Sequence, residues 1–90
     1  MGRAALVDYE RVQSDRDLLA AIVPVLEEVV RAVPESDTSW FALAAARDML
    51  GDAPGALSAY RRMLELQPLA SAVRARIEQL EAARSEAKQK

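Results

Sequence analysis

Apolar positions recur along most of this chain at intervals of three and four residues, the spacing of one face of an α-helix. The cleanest run is Trp40, Leu43, Ala44, Arg47 and Leu50, at i, i+3, i+4, i+7 and i+10. It follows Pro34-Glu35-Ser36-Asp37, a cluster of breakers and cap formers, and stops at Gly51-Asp52. Glycine takes the left-handed C′ conformation without penalty, and the aspartate after it can cap a following helix. Pro54 suits that start, because the first turn has no intrahelical partner for its missing N–H. The second helix carries Ala56, Leu57, Tyr60, Met63 and Leu64 and ends at Gln67-Pro68. Helices joined by so short a turn must lie antiparallel and in contact. A third runs from Leu69 or Ala70 to Ala87, with one narrow stripe of Val73, Ile77 and Leu80 and charge elsewhere. Such a helix suits the end of a stack, where only one face is covered.

The N-terminal third is less regular. Ser14-Asp15-Arg16-Asp17 has the form of a capping box and predicts a helix that opens there and runs to about Val33. Pro24 falls inside it and removes one backbone hydrogen bond, so it either kinks the helix or splits it, at about 3 kcal/mol if nothing compensates. Large apolar residues from Leu18 to Val33 go nearly all round this helix, which therefore needs cover on more than one side. Residues 3 to 12 fit a short helix with Leu6, Tyr9 and Val12 inward, and equally an extended or frayed segment.

Composition narrows the chemistry. Ninety residues make one small domain. With 51% apolar but only 4% aromatic residues, the core must come from Leu, Val, Ile and Ala. A net charge of −2 without a basic cluster argues against nucleic-acid binding. The chain has no cysteine and no histidine, which excludes disulfides, thiolate chemistry, zinc sites built from these ligands and His-based acid–base catalysis. No serine has a histidine to activate it, and no Gly-rich phosphate loop is present. The expectation is a non-enzyme that needs no cofactor and no metal. The N-terminus lacks a signal-like apolar run, and the longest apolar run, Leu18 to Leu26, is too short to span a membrane. A cytoplasmic location follows as the default.

The chain also repeats itself at a spacing of 34 residues. Leu26-Glu27-Glu28-Val29-Val30-Arg31-Ala32-Val33-Pro34 lies over Tyr60-Arg61-Arg62-Met63-Leu64-Glu65-Leu66-Gln67-Pro68, and Leu6 lies over Trp40. A helix–turn–helix period of that length is the signature of a solenoid repeat. Trp40, Leu43 and Ala44, followed by Gly51-Asp52, Ala56, Tyr60, Leu64 and Pro68, resemble the tetratricopeptide repeat (TPR). Arg47 and Met63 depart from the family pattern, at positions where a tyrosine and a small residue are usual. The resemblance implies an all-α fold, a short TPR-like array of antiparallel helix hairpins with about four to five helices in a single domain over residues 1–90. Within it, 3–36 form a degenerate repeat, 37–70 a well-formed one, and 71–88 a capping helix.

The same resemblance places partner-binding residues on the inner, concave face of the array. Carried over position by position, that face shows Phe41, Ala45, Asp48 and Met49, joined by Arg76 and Gln79 of the last helix. Phe41 and Met49 are apolar and off the Trp40–Leu43 stripe. They either form a shallow groove for a partner helix or peptide, or are covered by the last helix or the N-terminal segment. Family members that bind C-terminal carboxylates do so through five polar positions, which here are Val7, Arg11, Ala42, Ala72 and Arg76. Only Arg76 fits well, so that mode of binding is not expected. The expected function is a non-catalytic adaptor or scaffold that binds another protein, without nucleic acid or membrane. The second reading is a homo-oligomerisation module pairing through the Leu18–Val33 helix.

Overall fold

Two side-chain oxygens set where the central helices begin. The structure, a computed structural model, describes the backbone of residues 2–89 and the side chains of residues 14–86. Among these residues the chain forms α1 (Gly2–Ala32), α2 (Asp37–Met49), α3 (Ala53–Leu66) and α4 (Ser71–Gln89). The Ser36 hydroxyl accepts from the Ser39 N–H at 3.4 Å and meets the Ser39 hydroxyl at 2.8 Å, so α2 starts one residue later. Asp52 does the same for α3, accepting from the Gly55 N–H at 3.1 Å, with Pro54 in the first turn. Between them Gly51 takes φ 84, the left-handed conformation that ends α2. Its N–H donates to the Asp48 carbonyl and that of Asp52 to the Arg47 carbonyl, at 3.0 and 2.9 Å. This double closure satisfies the last carbonyls of α2 and turns the chain sharply back.

The four helices pack as sequential antiparallel pairs: α1 on α2, α2 on α3, α3 on α4. The core is one cluster threaded through all of them: Val30 from α1, Leu43 and Ala44 from α2, Ala56, Leu57, Ala59 and Tyr60 from α3, and Val73, Ile77 and Leu80 from α4. Ala44, Ala56 and Ala59 have no exposed surface, and alanines at such positions let the backbones of α2 and α3 come close. Met63, at the position where the family pattern has a small residue, is partly buried and packs against the cluster. On α4 the stripe read from the sequence is the buried one, and its remaining described residues are small, polar or charged and, Arg76 apart, exposed.

α1 corrects the reading of the N-terminal third. No helix begins at Ser14, because α1 runs without interruption from Gly2 to Ala32 with Pro24 inside it. Residues 3–36 thus hold one long helix rather than a helix pair. Pro24 is exposed, and so is Ala20, whose carbonyl loses its N–H partner and can be solvated instead. That removes the need to split the helix. The inward placement expected of Leu6, Tyr9 and Val12 concerns side chains outside the described residues, as do the positions of Val7 and Arg11. Among the described residues no helix is long and apolar enough to cross a membrane.

Candidate functional site

Every third or fourth residue on one side of α2 points away from the core, and Phe41, Ala45, Asp48 and Met49 share that side. Phe41 is 45% exposed and Met49 67%, with the half-buried Ala45 between them. Phe41 is held edge-on against Tyr60 of α3, ring centroids 6.2 Å apart. The described residues thus leave both Phe41 and Met49 partly open.

Asp48 is the centre of the polar part of this face. Arg76 of α4 grips it with two parallel bonds, Nε to Oδ2 and Nη2 to Oδ1, both 2.7 Å. The Tyr60 hydroxyl donates to Oδ2 at 3.1 Å, and a further nitrogen of Arg76 donates to Gln79 at 2.9 Å. Bidentate guanidinium–carboxylate pairs are among the stronger hydrogen-bonded contacts a protein can make. This one ties α4 to α2 across 28 residues of sequence. Of the six residues expected on the partner-binding face, the structure therefore joins Asp48, Arg76 and Gln79 in one network and leaves Phe41 and Met49 accessible beside it.

The network shifts its own titration. Hydrogen bonding to Arg76 outweighs partial burial and holds the Asp48 carboxyl below its ordinary value. Arg76 moves up for the same reason. Burial, then the bond to Asp48, pushes the Tyr60 hydroxyl from 10.0 to about 12. Asp48 thus contributes stability that is present above the ordinary aspartate range and lost as pH falls through its depressed value. Tyr60 contributes stability that is complete below pH 10 and lost as pH rises towards about 12. Tyr60→Phe should flatten that alkaline loss while costing about 1 kcal/mol at neutral pH. The check is the urea midpoint measured from pH 7 to 12; equal alkaline declines in both proteins would rule Tyr60 out as the cause.

Arg47, a departure from the family pattern that stands on the apolar stripe, turns out to be a junction. It donates to the Gly55 carbonyl of α3 at 3.2 Å and to Glu27 of α1 at 3.0 Å, with 19% of its side chain exposed. A single charged residue thus joins three helices. Trp40 also packs structurally: its indole N–H donates to the Pro34 carbonyl at 2.7 Å, and Arg62 lies 5.5 Å over its ring.

Clefts also lie away from this face. One, of about 240 Å³, sits between α1 and α2 against Val30, Trp40, Leu43 and Arg47. A wider groove runs between α3 and α4 over Leu64 and Pro68, with Arg61 and Arg74 at its margins. Among the described residues no acidic group gathers into a metal site, and no buried side-chain nitrogen or oxygen lacks a partner. Comparison with known protein families, curated proteins and solved structures finds no match for this chain.

Proposed function

We propose that this domain is a non-catalytic protein-interaction module, a TPR-like adaptor whose α2 face receives a peptide or helix of a partner protein. The observation that carries the proposal is the pair Phe41 and Met49, 45% and 67% exposed on one face with only Ala45 between them. Large apolar side chains held open on a helix face suit an apolar ligand. Asp48, Arg76 and Gln79 form the border of the surface. Arg76 already spends its guanidinium on Asp48 and Gln79, so the border is neutral and offers no free cation for a carboxylate. Recognition by apolar contact fits this arrangement better than capture of a charged terminus.

The TPR-like reading rests on the α2–α3 hairpin. Leu43, Ala44, Ala56 and Tyr60 are buried in it, and Gly51 makes its turn. On this reading α1 keeps the role of a second helix from a preceding repeat, and α4 caps the array. A partner is captured with immobilised domain, and a peptide of that partner is then titrated calorimetrically. Phe41→Glu with Met49→Glu should weaken binding at least tenfold and leave helicity unchanged. Undiminished binding by the double variant would dispose of this face as the site.

A further inference from the structure

α1 carries a second apolar face that nothing in the described chain covers. Val23, Leu26 and Val30 turn towards α2 and the core. Leu18, Ile22, Val25, Val29 and Val33 turn away and are 60, 43, 61, 37 and 42% exposed. Spacings of four, three and four from Leu18 to Val29 place them as a continuous seam of the kind that pairs with another helix. No charged side chain lies on the seam itself. Beside it, Glu28 is paired with Arg31 at 2.7 Å, and Asp15 and Asp17 stand just before its Leu18 end.

We propose that this face pairs with the same face of a second copy, α1 against α1 in antiparallel orientation about a two-fold axis near Val23 and Pro24. In that register Leu18 meets the partner's Val29 and Ile22 meets the partner's Val25, and the symmetry repeats both layers. Four apolar layers close without setting a charge into the seam. Two further features favour a second copy over other occupants. The outer described surface of α4 exposes no large apolar side chain, so it offers the seam no matching face for head-to-tail addition, whereas a face-to-face pair covers it. The area also fits: the five side chains expose about 400 Å² per copy, and two copies with their flanks approach the roughly 1,000 Å² at which specific pairs begin. An interface of that size sits at the weak, transient end of specific association, so the pair is expected to depend on concentration.

Sedimentation equilibrium of the whole chain tests this. The mass should rise from 9.9 kDa towards twice that value between about 1 and 200 µM. Ile22→Glu with Val25→Glu should stay monomeric throughout, with unchanged helical circular dichroism, since both side chains are exposed on α1. Phe41→Glu with Met49→Glu should dimerise as the natural sequence does, which separates this interface from the partner-binding face. The absence of cysteine allows the orientation to be read directly. Mixed Leu18→Cys and Val29→Cys chains should form a heterodisulfide readily, and neither should cross-link to itself. A natural chain that remains at 9.9 kDa across the range overturns the proposal, and so does self-cross-linking by each single cysteine, which would mean parallel helices.

Discussion

Leu57→Ala is expected to remove most of the stability of this domain. Leu57 is 1% exposed on α3, and with Leu43 it is one of the two largest fully buried side chains. Truncating a buried leucine costs about 2–5 kcal/mol, and the upper part of that range applies where the surroundings cannot close on the hole. Here they cannot. The neighbouring positions Ala44, Ala56 and Ala59 are already fully enclosed, so α2 and α3 have little room left to move together. A loss of about 4 kcal/mol is set against a total of roughly 5–10 kcal/mol for a domain of this size. The urea midpoint, followed by circular dichroism, should fall by roughly 40–80% with little change in slope. A loss below about 1 kcal/mol would show that the seam between α2 and α3 is not where stability resides.

Pro24→Ala should act in the opposite direction. Proline in a helix interior is about 3 kcal/mol less favourable than alanine. At this position its ring is exposed, so its removal sacrifices no core packing, and the Ala20 carbonyl regains a donor. Part of the gain is offset because proline also restrains the unfolded chain, by up to about 1 kcal/mol. A net stabilisation of about 2 kcal/mol remains, which in a domain of this length raises Tm by roughly 8–16 °C. A lower Tm in the variant would mean that the proline supports α1 rather than strains it.

The local signals in the sequence were the readable ones. Ser36, Asp52 and Gly51 act on backbone groups within a few residues, so the limits of α2 and α3 could be placed without knowing the fold. The stripe of α4 was equally plain, because Val73, Ile77 and Leu80 have no apolar competitors on that helix that reach the core. Ser14 misled for a physical reason. A cap former only starts a helix where the chain before it is not already helical, and α1 passes straight through. Spacing alone put Phe41, Asp48 and Met49 on one face. It did not reveal that Asp48 and Arg76 hold each other, since that contact depends on how α4 is rotated after two intervening turns. The three-helix role of Arg47 was hidden in the same way, because Glu27 and Gly55 lie on different helices.

Because the described helix backbones come close only to their sequence neighbours, the domain has a kinetic character as well as a shape. Contacts between adjacent elements close short loops, so little chain entropy is lost before they reward folding, and the barrier is low. The α2–α3 hairpin is then the natural nucleus, and α1 and α4 add to it independently from either side. Opening runs the same way in reverse, from the ends inward. The Asp48–Arg76 pair interrupts this order, since it fastens α4 to the helix beyond its neighbour. For the C-terminal helix to leave, it must therefore part from α2 as well as from α3.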